Sequence, residues 1–225
     1  MQASAKKERT RKQKALRRLA LLLIMMVFAS AAGLYGFFPA QGRLYNEETH
    51  HTGRTQLVQR LYDPSIKATK MALFDLTKNK NVTMLHCVRW HPLVGWMDSS
   101  AAVIDCSSDA PLYSGSFFLS DNGSEILLFV FGRVDEPSIV SIKISLQKSS
   151  YLQEEQREIW TEYKSYTLAA QNWKVKDGAR YFVESIDMQK EDRDSPTRIM
   201  ISAYDENGIE LSSGEVTQYT WTSLG

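Results

Sequence analysis

"FFLSDNGSEILLFVFG", Phe117 to Gly132, decides how this chain is read. Asn122 and Gly123 stand between two apolar runs, and both tolerate the positive φ that a tight hairpin turn requires. The run after the turn, "EILLFVF", is apolar without alternation. A strand with one wet face alternates apolar and polar residues, so this one is expected at the centre of a sheet, covered on both faces. Downstream, "SIVSIKISL" sets Val140, Ile142, Ile144 and Leu146 against Ser141, Lys143 and Ser145, a strand with one face in water.

The same grammar extends in both directions. Upstream lie "KMALFDL", "VTMLHCVRW", "AAVIDC" and "LYSGSFFLS", separated by the polar segments "TKNKN" and "SSDAP". Towards the C-terminus, hairpin signals recur at Asp177-Gly178 and Asn207-Gly208, and "DMQKEDRDSPT" reads as a charged, exposed loop. "EIWTEYKSYTL" is strand-like, but neither of its faces is clearly the apolar one. Short strands punctuated by Gly, Asn and Asp predict a mainly β domain over residues 54–225, an antiparallel β-sandwich or barrel-like fold. One short helix is expected in "GRTQLVQRLYDPS", where Leu57, Val58, Leu61 and Tyr62 fall at helical spacing between Gly53 and Pro64. Residues 39–53, "PAQGRLYNEETHHTG", lack periodicity and read as a stalk.

The segments "FGRVDEPSIVSIKISL", "ARYFV" and "IMISAYDENGIEL" resemble the extracytoplasmic β-domains of small single-pass membrane or secreted proteins of Gram-positive, spore-forming bacteria of the Bacillus and Paenibacillus kind. The shared elements are an F-G-x-V strand end, a P-x-I-x-x-I-x-I strand and an A-Y-D-x-x-G hairpin. The resemblance implies a fold class and a place outside the membrane. It assigns no functional residue.

The N-terminus supports that location. Residues 1–18 carry eight cations, Lys6, Lys7, Arg9, Arg11, Lys12, Lys14, Arg17 and Arg18, against Glu8 alone. Leu19 to Phe38 follow without a charge, long enough as a single helix of about 30 Å to cross the hydrocarbon core of a bilayer. The positive-inside rule then predicts a cytoplasmic basic tail (1–18), a transmembrane helix (19–38) and an extracellular C-terminal domain on a single-pass cell-membrane protein. A cleaved signal peptide ending at Ala29-Ser30-Ala31 is the competing reading. Removing the tail from 27 Lys+Arg and 26 Asp+Glu leaves 19 against 25, a net of about −6 for the remainder. An acidic outer domain does not suit nucleic acid.

The cysteines Cys87 and Cys106 are the strongest chemical signal, and four readings compete for them, one of which is simply two unpaired, buried thiols acting as small apolar side chains. Outside the membrane two cysteines suggest a disulfide, here between strands joined through "WHPLVGWMDSS", worth about 3 kcal/mol for a loop of roughly twenty residues. A zinc site would draw on His86, Cys87, His91 and Cys106, but adjacent strand residues point to opposite faces. A sortase-like thiol transpeptidase or hydrolase would use Cys106, with His86 or His91 as base and Arg133 as orienting group. Asp105 beside the sulfur opposes that, because a carboxylate disfavours the thiolate. No G-x-S-x-G, H-E-x-x-H, P-loop or G-x-G-x-x-G pattern occurs. The sequence therefore predicts a non-enzymatic, membrane-anchored binding domain that needs neither cofactor nor metal, with an envelope protein or cell-wall material as partner. Its alternatives are the Cys106 enzyme and an envelope-stress sensor acting through a membrane partner.

Overall fold

The computed structural model describes residues 11–32, 35–61, 72–121, 125–152, 157–188 and 197–223. Three β-sheets lie face on face. The first is a four-stranded antiparallel sheet of β1 (Gln56–Leu61), β2 (Ala72–Lys78), β3 (Val82–His91) and β4 (Gly95–Asp105), in chain order. The middle sheet contains β5 (Leu112–Asp121), β6 (Glu125–Val134), β9 (Lys174–Lys176), β10 (Ala179–Met188) and β13 (Thr217–Ser223), in the order β13-β5-β6-β10-β9. The third takes β7 (Ser141–Leu152), β8 (Arg157–Ala169), β11 (Thr197–Tyr204) and β12 (Glu210–Glu215), in the order β12-β11-β7-β8.

The unalternating strand explains the stack. On β6, Leu127, Phe129 and Phe131 pack into a core shared with Phe74, Leu85 and Ile104 of the first sheet, while Leu128, Val130 and Val134 pack into a second core with Ile144, Ile199 and Ile201 of the third. Both faces are apolar because both are buried. The expected sandwich is thus a double one, with β6 at the middle of its central sheet. On β7, Ile142, Ile144 and Leu146 are fully buried as the alternation predicts, whereas Val140 precedes the strand and stays partly exposed.

The turns follow their chemistry. Asp177 and Gly178 both hold positive φ (51° and 82°) between β9 and β10, the form that matches strand twist. Between β11 and β12, Gly208 alone is left-handed, and Asp205 Oδ1 accepts the amides of Asn207 and Ile209 at 2.9 and 2.8 Å. Strands β5 and β6 pair down to Asp121 opposite Glu125; the Asn122-Gly123 turn itself lies outside the described residues, as does most of the expected charged loop. β13 joins the middle sheet parallel to β5, an element the strand pattern did not suggest.

Three expectations require correction. The predicted helix in 54–64 is strand β1. A bulge inserts Val58 into the β1–β2 ladder, so Val58 and Leu61 both pack on the core; a bulge thereby creates an i, i+3 spacing that mimics a helix. A bulge at Tyr163 likewise brings Tyr163 and Tyr166 to the same core, which is why β8 showed no clear face.

The stalk is instead α2 (Pro39–Thr49), docked on the outer face of β3 and β4. Pro39 occupies its first turn, and the Phe38 amide donates to Gln41 Oε1 at 3.0 Å. Its buried side is Gly42, Asn46 and Glu47, so no apolar periodicity announced it.

The continuous span Leu19–Phe38 is broken as well. α1 (Arg11–Ala31) ends before Tyr35–Phe38, which run non-helically. Among the described residues no helix is long and apolar enough to cross a membrane. The apolar part of α1, Leu19 to Ala31, reaches only about 20 Å at ~1.5 Å per residue. Nevertheless Leu19 and the run Leu21–Phe28 are exposed around the whole helix.

Candidate functional site

Two charged constellations flank the first sheet. The first lies under α2. Arg60, Asp75 and His86 stand opposite one another across β1, β2 and β3, and the Asp75 carboxylate is fully buried. Arg60 Nε and Nη2 donate to its two oxygens at 2.7 and 2.8 Å, and Arg43 of α2 approaches with Nε 3.4 Å from Oδ2. This bidentate pair raises the Arg60 pKa through the bond to Asp75. His86 Nε2 lies 2.9 Å from Thr77 Oγ1. Burial, reinforced by the Arg43 charge and opposed by Asp75, pushes the His86 pKa down to about 3, so the ring is neutral at ordinary pH. Glu47 Oε1 accepts the Thr55 amide at 3.1 Å and also its hydroxyl, tying α2 to the start of β1. Asp75 and His86 are buried between helix and sheet while Arg60 reaches in from a half-exposed position, and the chemistry of the cluster is that of a clasp holding α2 down.

The second constellation is open. A groove of about 390 Å³ runs between the β2–β3 and β9–β10 turns, and Arg54, Lys78, Lys80 and Arg133 line it. Asp177 is the single acid in its wall, ion-paired to Lys78. Arg133 donates to Asp135 at 2.6 Å and to the Lys80 carbonyl at 3.1 Å, which fixes its guanidinium at the rim. Arg54 and Lys80 have no ion-pair partner among the described residues. Tyr181 closes the groove; burial pushes its phenol up to about 12, so the hydroxyl stays protonated and able to donate. Such a site attracts carboxylate or phosphate.

The sequence-predicted residues are distributed differently. No disulfide joins Cys87 and Cys106. In the β3–β4 ladder Cys87 stands opposite Ser100, while the Cys106 amide donates to Asn81, six residues away along β3. That is about 20 Å at ~3.3 Å per residue, against the roughly 7 Å between Cα atoms that a disulfide allows. The hairpin turns at 92–94, and a pairing would have needed it to turn three residues later.

Cys106 is buried, and burial pushes its thiol pKa up despite the hydrogen bond it shares with Thr83 and the nearby Arg133 charge. Asp105 turns outward and accepts the Ser107 amide at 2.9 Å. His86 faces α2, on the opposite side of the sheet from Cys106, and His91 sits at the hairpin tip with Nδ1 accepting the Leu93 amide at 3.2 Å. Among the described residues no three His, Cys, Asp or Glu side chains gather as a metal site.

Sequence reasoning missed both constellations. Asp75 in the otherwise apolar "ALFDL" was the available signal for the clasp, because a charge on such a strand needs a partner. The groove's cations are spread from Arg54 to Arg133, and only the fold assembles them. No family model matches the chain, and comparison with curated proteins and with solved structures found no match.

Proposed function

We propose that the chain is a membrane-tethered, non-enzymatic binding domain, with its β-sheets on the extracellular side, whose basic groove holds an acidic group of an envelope ligand. The observation carrying the binding function is the groove: four cations around one cavity, in a region whose net charge is about −6. Supporting the tether, α1 exposes apolar side chains all round and carries Arg11, Lys12, Lys14, Arg17 and Arg18 in its first turns. Those cations suit anionic lipid headgroups, and their alkyl stems can lie in the acyl region while the charges reach water.

Binding is tested on the full chain in nanodiscs, with inorganic polyphosphate and poly-glutamate as probes. Retention is expected to weaken as salt rises, and the pair Arg54→Glu/Lys80→Glu is expected to weaken it at least tenfold at low salt, about 1.4 kcal/mol. Both side chains are exposed, so the variant should keep its fold. Binding that is indifferent to salt and to this variant would reject the groove as the site.

A further inference from the structure

The loop of the β3–β4 hairpin is apolar, exposed, and bound to the segment that leaves α1. The Gly36 amide donates to the Val94 carbonyl at 2.7 Å and the Trp96 amide to the Gly36 carbonyl at 2.6 Å. This crossing requires glycine on both sides. A Cβ on Gly36 would collide with the Trp96 carbonyl oxygen; Gly95 has φ +76°, and a Cβ there would collide with the Gly36 carbonyl oxygen and lie 2.8 Å from the Tyr35 ring. The Tyr35 amide in turn donates to Ala29 of α1 at 3.2 Å. The hairpin tip and the C-terminal end of α1 are therefore one assembly.

Its surface is unusual for a face in water. Leu93 is 80% exposed, Phe38 68% and Val94 40%. The Tyr35 and Phe37 rings pack tilted against each other with centroids 4.6 Å apart, and Trp90 and Trp96 are cross-strand partners one step behind the tip. From Leu76 to Met97 the chain has no acidic residue, and neither does Leu19 to Gly42. Aromatic rings behind an apolar tip, free of carboxylates, match the composition of a membrane–water interface.

We infer that the β3–β4 tip, with Phe38, is a lipid-contacting foot that enters the headgroup region of the bilayer holding α1. The inference rests on the tether proposed above and explains how a short helix serves it. The apolar part of α1 falls about 10 Å short of a ~30 Å hydrocarbon core, and a short span draws its flanking groups into the membrane. The foot continues the apolar surface where the helix ends. Domain and bilayer then meet directly, with α2 and the first sheet next to the lipid.

The test places an environment-sensitive fluorophore on single cysteines introduced as Leu93→Cys, Leu22→Cys or Ile209→Cys in the full chain. The chain is reconstituted in phosphatidylcholine/phosphatidylglycerol vesicles with and without spin-labelled lipid. Labelling under native conditions leaves buried Cys87 and Cys106 protected, which the unsubstituted chain controls. Quenching at Leu93 within twofold of that at Leu22, with Ile209 unquenched, is the expected result. Quenching at Leu22 with Leu93 as unquenched as Ile209 overturns the foot and leaves the tether standing. No quenching at Leu22 overturns the tether, and the foot with it.

Discussion

Lowering the pH from 7 to 5 should destabilise the protein by about 2 kcal/mol through His86 alone. The imidazole is buried under α2, close enough to Arg43 and His50 for their charges to oppose its protonation, and its pKa falls from 6.5 to about 3 despite the opposing pull of Asp75. In the unfolded chain the same ring takes up a proton below about pH 6.5. Between pH 6.5 and 3 the unfolded state therefore binds more protons, and stability falls as pH falls through that window. At ~1.4 kcal/mol per pH unit, the step from 7 to 5 crosses about one and a half units of it. The check is urea unfolding followed by tryptophan fluorescence at pH 7 and 5, on the parent and on His86→Gln, which keeps a hydrogen-bonding group for Thr77 but does not titrate. The parent should lose about 2 kcal/mol more than the variant. Equal losses would refute the reasoning, because the pH dependence would then arise elsewhere.

Asp75→Asn leaves the largely buried Arg43 facing a neutral amide while the 39% exposed Arg60 can turn to water, so a loss of about 1–3 kcal/mol is expected in thermal or urea unfolding. A loss under 1 kcal/mol would mean that α2 is not clasped by this charge. Gly36→Ala should free the hairpin tip, seen as faster hydrogen exchange at the Trp96 and Gly36 amides with the β6 amides unchanged. The mass of the intact protein should not change on reduction, and Cys106 should resist alkylation at pH 7 until the chain is unfolded. Rapid labelling of native Cys106 would revive the thiol-enzyme alternative.

The strands were legible where side-chain alternation, or its absence, directly reports burial. The unbroken apolar run of β6 signalled two covered faces, and the structure places a core against each. Bulges defeated the same reading at Val58 and Tyr163, since one inserted residue turns a period of two into a local spacing of three. α2 was illegible for the opposite reason: Gly42, Asn46 and Glu47 form its buried side, and a glycine with polar groups buried against polar partners leaves no hydropathy signal. The cysteines misled because their pairing depends on ladder register. Register is set by where the hairpin turns, and "WHPLVGWMDSS" offers several places to turn.

The order of strands through the three sheets also determines when each surface is hidden as the chain folds. The first sheet is built from consecutive hairpins within residues 56–105, so it forms from contacts close in sequence. The middle sheet is not local: β10 returns to β6 only after the β7–β8 hairpin, and β13 pairs with β5 across about a hundred residues. Contacts of such long range form slowly. During that interval the outer edges of β5 and β6 stay unpaired, while Phe117, Phe129 and Phe131, carried on the local β5–β6 hairpin, can already cover Phe74, Leu85 and Ile104. The edges of β5 and β6 are therefore the last surfaces to be hidden, and a chaperone acting on folding has those edges, rather than the first core, to shield.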